Sequence, residues 1–174
     1  MRTPTEAPLS DVGACAHPAR FPAARRSSNA QIANMEYRRA TLSDAMLLAA
    51  MNHRLIRDQG HRNPMTIAQL QARMENWLRG DYEAFVFEDA DGPAGYALFR
   101  RDEDAIYIRQ YFVRRERRRQ RVGRSAFAWL VENVWKPESR LRLDVLVGNR
   151  VAIQFWRSLG FADYCLTMER TGSA

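Results

Sequence analysis

The chain has little lysine, cysteine and histidine. Lys136 is the only lysine among 27 basic residues, so arginine carries nearly all of the positive charge. The 2 cysteines are too few for a disulfide framework, and the 3 histidines are too scattered to form a metal site. No apolar run approaches the ~20 residues that span a bilayer. These absences predict a cytoplasmic, metal-free protein with no membrane partner.

What the chain does have is the composition of a globular domain with an excess of positive charge. It is 46% hydrophobic and 27% charged, with a net charge of +7 over 174 residues. A basic surface favours an anionic partner. An arginine bias this strong can also follow from genome composition, so charge alone does not identify that partner.

Residues 1–34 differ in composition from the remainder. They are rich in Pro, Ala, Ser and Arg and show no sustained apolar period, which predicts a disordered tail. They also lack the apolar core of a signal peptide. We interpret Met35 as a natural start of translation and predict one domain over residues 35–174.

From Met35 onwards, strand and helix patterns alternate. The strand patterns are "MEYRRA", "EAFVFE", "GYALFRR", "AIYIRQYFV", "LRLDVLV" and "FADYCLTMER". Four helix patterns begin after Ser43, after a Thr66–Gln69 capping box, within the arginine-rich stretch, and after Asn149. This order predicts an α/β (α+β) fold, with a mixed central sheet of about six to seven strands and four helices on its faces.

The stretch "RRERRRQRVGRSAF", from Arg114 to Phe127, places seven arginines in eleven residues between a strand and a helix. The apolar positions Val122 and Ala126 begin before the arginines end, so the helix must start inside the basic run. A helix start offers unpaired N–H groups and partial positive charge, and arginines add bidentate contacts. Gly123 allows close backbone approach. The pattern therefore favours a phosphate-binding loop over a solvated turn or an arm that lies along DNA.

These residues resemble a known family. "FVRRERRRQRVGRSAF" resembles the acyl-CoA-binding motif of the GNAT superfamily of N-acyltransferases, R/Q-x-x-G-x-G/A, with Arg118 in the first position and Gly123 in the last. "GNRVAIQFWRSLGF" is similar to the second hallmark of that family, and "YRRATLSDA" to its opening. The resemblance extends over roughly residues 36–170, and it implies the acyl-CoA N-acyltransferase fold.

The resemblance also implies a co-substrate, acetyl-CoA, and residues that bind it. The pyrophosphate would lie on the loop formed by Arg118, Arg119, Gln120, Arg121, Val122, Gly123 and Arg124. The pantetheine arm would run along Tyr111, Phe112 and Val113, between the splayed fourth and fifth strands. The Val113 N–H would polarise the thioester carbonyl. Asn149 would either hold the pantetheine arm or serve only as a helix cap.

The chain departs from the family pattern at two positions. Arg121 replaces the first glycine of the motif, which is strained if the site needs positive φ and costs nothing if the loop is already helical there. We expect the helical case. Trp156 stands where many members have a tyrosine that protonates the leaving thiolate, and an indole cannot do so. We expect Trp156 to pack against the cofactor or the core.

The resemblance implies transfer of the acetyl group to a primary amine by direct attack in a ternary complex. The acceptor would be a small molecule or a peptide. We expect the protein to bind no nucleic acid, and a homodimer stays open as its assembly. Strand alternation would place Tyr107, Arg109 and Tyr111 on one face and Ile108 and Gln110 on the other, and one of these sets would face the cleft. Tyr107 or Gln110 could orient a catalytic water there, or these residues could serve only in packing on the sheet. Asp58 and His61, in the loop between the first two helices, are candidates for acceptor binding.

Two other functions remain open from sequence. The Arg121 and Trp156 departures fit a non-catalytic acyl-CoA-binding regulatory domain. The basic run fits a nucleic-acid-binding protein.

Overall fold

The computed structural model describes residues 35–170. Its elements in chain order are β1 (Glu36–Arg39), α1 (Ala45–Gln59), α2 (Ile67–Arg79), β2 (Tyr82–Asp89), β3 (Gly92–Arg101), β4 (Ile106–Val113), α3 (Val122–Leu130), β5 (Leu141–Leu143) and α4 (Arg150–Arg157). A 3-10 turn at Leu42–Asp44 precedes α1, and α3 continues into a π-helical turn at Val131–Trp135. The predicted tail at residues 1–34 and the last four residues lie outside this description.

The strands form one mixed sheet in the order β1-β2-β3-β4-β5. The first four strands pair antiparallel, and β5 joins β4 in parallel. The predicted fold class is confirmed, but the sheet in residues 35–170 has five strands where the sequence suggested six to seven. The predicted final strand is not formed. Its alternating apolar residues Tyr164, Leu166 and Met168 are all exposed, because that segment pairs with no strand of the described sheet.

The sheet separates two apolar clusters. On one face, α1 and α2 pack against the sheet through residues that include Leu48, Leu55, Leu70, Met74, Val86, Tyr96 and Phe112. On the other face, α3 and α4 pack through residues that include Phe99, Ile108, Ala126, Phe127, Leu130, Trp135 and Trp156. Each helix thus buries its apolar stripe against the sheet.

Local capping signals account for most helix starts. Thr66 N–H donates to Gln69 Oε1 at 2.8 Å and Gln69 N–H donates to Thr66 Oγ1 at 3.3 Å, so the predicted capping box is confirmed. Asn149 Oδ1 accepts from Ala152 N–H at 3.1 Å, which confirms the cap of α4. The cap of α1 predicted at Ser43 is wrong, because Asp44 occupies that position. Thr41 starts the turn before α1, because Asp44 returns its carboxylate to the Thr41 N–H at 2.8 Å.

One irregularity in β4 decides which side chains share a face. Leu98 of β3 pairs with Gln110 while Phe99 pairs with Ile108, so Arg109 is an extra residue in β4. The strict alternation predicted from sequence is therefore wrong beyond Ile108. Arg109 lies near α2, with its Cζ 5.8 Å from the Trp77 ring, whereas Tyr111 lies on the opposite face with its ring 5.3 Å from that of Trp156.

Candidate active site

Strands β4 and β5 separate after a short pairing. Their register covers Ile106–Leu141, Tyr107–Arg142 and Ile108–Leu143. Beyond that point β4 continues to Val113, while the chain after Leu143 leaves the sheet. The last five residues of β4 thus border an opening in the described part of the sheet.

Backbone alternation shows which amides face this opening. Arg114 N–H donates to Ala94 O on the β3 side at 2.8 Å. Successive N–H groups in a strand point to opposite sides, so those of Phe112 and Gln110 also point to β3, and those of Val113 and Tyr111 point to the opening. The Val113 carbonyl confirms this direction, since it accepts from Arg118 Nε at 2.9 Å on the far side from β3.

The three residues predicted to line the pantetheine arm therefore differ. Tyr111 and Val113 present N–H groups to the opening. Phe112 directs its backbone towards β3 and buries its ring in the α1–α2 cluster, with 2% of its surface exposed. The structure thus offers two donors at this edge and leaves Phe112 as a core residue.

The start of α3 lies beside the same opening. The first hydrogen bond of the helix joins Ser125 N–H to Arg121 O at 2.9 Å, so the amides of Val122, Gly123 and Arg124 precede the helical ladder. Tyr111 Oη donates to Gly123 O at 2.6 Å, which ties the helix start to β4. A Cβ on Gly123 would lie 3.5 Å from Val113 Cγ2. The first-turn amides and the β4 donors therefore form one continuous surface.

The loop before α3 adopts a backbone that arginine disfavours. Arg119 has φ of 64° and Arg121 has φ of 63°, both in the left-handed region. The expectation of a helical, unstrained Arg121 is wrong, because α3 begins one residue later at Val122. Turns that include left-handed residues direct successive N–H groups to one side and form anion-binding concavities. The two strained residues, Arg119 and Arg121, therefore lie in a turn of the kind that binds phosphate.

Several arginines of the run hold the loop in place. Arg117 Nε donates to Asp89 Oδ2 at 2.5 Å and the same guanidinium pairs with Asp91, both at the β2–β3 turn. Arg115 and Arg118 pair with Asp58, near the C-terminal end of α1. At least three of the seven arginines therefore have aspartate partners, and the loop is anchored to two other elements of the fold.

This anchoring also bears on the residues predicted to bind the acceptor. The Asp58 carboxylate lies against the guanidinium groups of Arg115 and Arg118, so a cationic amine would have to compete with them. His61 is exposed on the loop after α1, and its backbone N–H donates to the Ile56 carbonyl oxygen at 3.0 Å. The role of each in acceptor binding stays a prediction.

Trp156 is a core residue. It is 8% exposed, and its ring lies 5.3 Å from that of Tyr111 and 5.1 Å from that of Phe155, with Phe127 and Phe161 also in contact. This is the packing expected if the residue has no acid–base role. A contact between Trp156 and the cofactor stays a prediction.

Tyr107 and Asp144 meet where β4 and β5 separate. Tyr107 Oη donates to Asp144 Oδ2 at 2.6 Å and accepts from Arg109 Nη1 at 3.3 Å. Burial and the neighbouring carboxylate raise the pKa of Tyr107, so its hydroxyl is protonated at neutral pH and acts as a donor. Asp144 was not a candidate from sequence, because it lay within a segment predicted as continuous strand and its partner Tyr107 is 37 residues away.

Sequence comparison identifies the family to which this site belongs. A sequence model of the acetyltransferase (GNAT) family matches residues 48–161, about two thirds of the chain. The chain belongs to the GNAT acetyltransferase family. It is accordingly an acetyltransferase with acetyl-CoA as its acyl donor.

Solved structures of other proteins share the fold of this chain. A protein from Clostridium difficile 630 described as a possible acetyltransferase has a TM-score of 0.65 at 17% identity, over 81% of this chain and 99% of its own. A predicted acetyltransferase from Clostridium acetobutylicum, solved with acetyl-CoA, has a TM-score of 0.61 at 18% identity, over 79% and 96%. The aminoglycoside N-acetyltransferase AAC(6')-Iy, solved with CoA, has a TM-score of 0.64 at 12% identity, over 81% and 96%.

No curated protein sequence matches the chain. None of the helices within residues 35–170 is long and apolar enough to cross a membrane. In the same range, no group of three or more His, Cys, Asp or Glu side chains is arranged to hold a metal ion.

Proposed function

We propose that this acetyltransferase acts on a primary amine, which attacks the thioester of acetyl-CoA directly in a ternary complex. The proposal is supported by one observation above all. The N–H groups of Val113 and Tyr111 and the first-turn amides of α3 border the same opening between β4 and β5. A ligand with phosphates at one end and an acyl thioester at the other matches that distribution of donors.

The loop and α3 would hold the phosphates. The amides of Val122, Gly123 and Arg124 face a pyrophosphate with the positive end of the helix, and Arg119, Gln120 and Arg121 line the same turn. Arg118 would act mainly by positioning, since it joins the end of β4 to Asp58. Asn149 uses its Oδ1 for capping, which leaves its amide N–H groups to donate to the pantetheine arm.

The chemistry is a single acyl transfer. The amine nitrogen forms a bond to the thioester carbon, the C–S bond breaks, and the sulfur leaves as thiolate. The Val113 N–H would stabilise the negative charge that develops on the carbonyl oxygen, which for one such donor is worth ~2.7–4 kcal/mol. A thiol of pKa ~8.5 can leave without a strong acid, so Trp156 in place of tyrosine is tolerated.

The attacking amine must also lose a proton. Asp144 is a carboxylate at the opening, and Tyr107 orients it through a 2.6 Å hydrogen bond. We propose that Asp144 accepts the proton through a water molecule and that Tyr107, itself protonated, is a positioning residue.

The role of the Val113 amide can be tested by removing it. In Val113→Pro the lost N–H faces the opening and not β3, so the β3–β4 ladder keeps its hydrogen bonds. We expect kcat for thiol release from acetyl-CoA to fall about 100- to 1000-fold. Val113→Ala, which keeps the amide, should stay close to wild type. Equal rates for Val113→Pro and Val113→Ala, with both folded, would remove this amide from the mechanism.

Cofactor binding at the α3 loop has its own test. In Gly123→Asp a carboxylate would enter the space beside the first-turn amides and repel a pyrophosphate, so CoA affinity should fall at least tenfold. Gly123→Ala is the matched control, because its Cβ meets only ordinary contacts at 3.4 Å from Phe155 and 3.5 Å from Val113. Calorimetric titration of CoA measures both. Unchanged affinity in a folded Gly123→Asp protein would place the cofactor elsewhere.

A further inference from the structure

Two arginines lie together on the α2 side of the opening, apart from the cofactor loop. Arg73 of α2 has its Cζ 4.7 Å from the centre of the Trp77 ring, and Arg109 of β4 has its Cζ 5.8 Å from the same ring. Arg109 is the bulge residue, and it donates to Tyr107 Oη, which in turn bonds to Asp144. The pair therefore borders the place where β4 and β5 separate.

These two charges lack the acidic partners that other arginines of the protein have. Neither forms an ion pair with a carboxylate in the described residues, whereas Arg38, Arg100, Arg115, Arg117 and Arg118 all do. The Arg73 Nε is buried and has no hydrogen-bond partner within residues 35–170. Burial and the nearby Arg109 both lower the pKa of Arg73, so Arg73 lies near a like charge with no carboxylate of the described residues in direct contact.

Such an arrangement is costly unless a ligand supplies the missing anion. A partly buried guanidinium with an unused donor is destabilised by desolvation, and two neighbouring guanidiniums repel each other. An oxyanion bound at the outer nitrogens of the two guanidiniums would neutralise the repulsion, and guanidiniums bind carboxylate and phosphate oxygens in bidentate fashion. Both guanidiniums also contact the Trp77 ring, which favours these positions through cation–π attraction.

We propose that Arg73 and Arg109 form the subsite for an oxyanion on the acceptor, so that the substrate is a primary amine that also carries a carboxylate or phosphate group. This inference rests on the proposed function, because it takes the opening as the place of amine attack. The donor would occupy the side of α3 and α4, and the acceptor would enter from the side of α2. A polycationic acceptor would be repelled by this pair.

A matched panel of amines tests the subsite. β-Alanine against its amide, and 2-aminoethyl phosphate against ethanolamine, differ chiefly in the anion, and spermidine supplies a polycation. Thiol release from acetyl-CoA gives kcat/KM for the wild type, Arg73→Gln and Arg109→Gln. Arg79→Gln is the control, since this exposed arginine lies on the same helix and pairs with Glu75 at 3.5 Å.

The expected pattern is specific. The wild type should prefer the anionic member of each pair, and either variant should lose roughly 10- to 100-fold in kcat/KM for that member, mainly through KM. The neutral members should be unaffected by Arg73→Gln, because Arg73 contacts no residue of the proposed reaction, and Arg79→Gln should behave as wild type with all of them. Which anionic amine shows the larger loss distinguishes a carboxylate acceptor from a phosphate acceptor. Preference for neutral or cationic amines, or equal losses for both members of a pair, would overturn the inference.

A binding measurement separates this inference from the proposed reaction. N-Acetyl-β-alanine and N-acetyl-2-aminoethyl phosphate are titrated calorimetrically into the CoA-bound wild type, Arg73→Gln and Arg109→Gln. Binding that both variants lose supports the oxyanion subsite even if none of the amines is acetylated, in which case the proposed function fails alone. If neither compound binds the wild type, or if binding is unchanged in both variants, the subsite is absent.

Discussion

At the scale of single residues, the least expected feature is the left-handed backbone at Arg119 and Arg121. A side chain in this region costs ~1–2 kcal/mol relative to glycine, because its Cβ crowds the adjacent carbonyl. The glycine of the family motif at the Arg121 position fits this conformation without strain. The chain therefore retains a strained residue at the point where α3 begins.

Arg121→Gly should relieve that strain. We expect the free energy of unfolding to rise by about 1 kcal/mol, which is less than the full strain because glycine also gains freedom in the unfolded chain. Chemical denaturation measures this free energy, and its value for Arg119→Gly should also rise. Gln120→Gly is the control, since Gln120 lies between them outside the left-handed region and should be destabilised by the added freedom. If Arg121→Gly is destabilised as much as Gln120→Gly, backbone strain at Arg121 is excluded.

Single residues also show where sequence reasoning works. The Thr66–Gln69 box and the Asn149 cap were predictable, because each is a contact between residues three apart in the chain. The conformation of Arg121 was not, because an arginine carries no sign of positive φ. Asp144 was missed for a different reason, since its partner Tyr107 is 37 residues away.

At the scale of secondary-structure elements, the bulge in β4 was the main feature that the sequence could not show. Periodicity assigned Tyr107, Arg109 and Tyr111 to one face, but the extra residue at Arg109 depends on the register with β3. This one shift places Tyr111 on the face opposite to Arg109, which lies beside Trp77. The position of α3 inside the arginine run was predictable, because the apolar stripe of that helix begins at Val122.

The loop that joins β4 to α3 depends on its contact with the β2–β3 turn. The hydrogen bond from Arg117 lowers the pKa of Asp89, so this carboxylate stabilises the fold when it is ionised. A lowered folded-state pKa means that the contribution is present above the unfolded value of ~3.9 and is lost as the pH falls through the folded value. The loop should therefore loosen in acid.

Arg117→Gln tests this coupling. The variant should have a lower melting temperature than the wild type at pH 7, and the difference should shrink as the pH falls from about 5 to 2, because protonated Asp89 no longer depends on Arg117. Thermal unfolding followed across that range gives the comparison. Arg79→Gln removes the same charge from an exposed pair on α2 and should show a small difference at pH 7. A wild-type advantage over Arg117→Gln that grows in acid would contradict the assignment.

At the scale of the whole molecule, the order of strands and helices was enough to predict a mixed sheet with helices on both faces. The number of strands was overestimated, because alternation in residues 162–170 specifies a face but not a partner strand. The net charge of +7 is the other global property. Its distribution decides between a cofactor loop and a surface for nucleic acid.

The paired arginines make that decision testable. Arg115, Arg117 and Arg118 are held by aspartates, so a nucleic acid would meet a run with fewer arginines to offer than the sequence suggests. Binding of an oligonucleotide should therefore be weak and should disappear with added salt, since each neutralised phosphate contributes a log–log slope of ~0.9. CoA should still bind at moderate salt, because its pantetheine contacts are not screened.

The measurement is a titration with a fluorescent oligonucleotide across a salt series, with and without saturating CoA. We expect CoA to displace any bound oligonucleotide, because both would use the single helix start within the run. Arg79→Gln, on helix α2 and outside the arginine run, should leave both titrations unchanged. Tight oligonucleotide binding that saturating CoA does not affect would show a separate nucleic-acid surface and would contradict the assignment of the arginine run to acetyl-CoA.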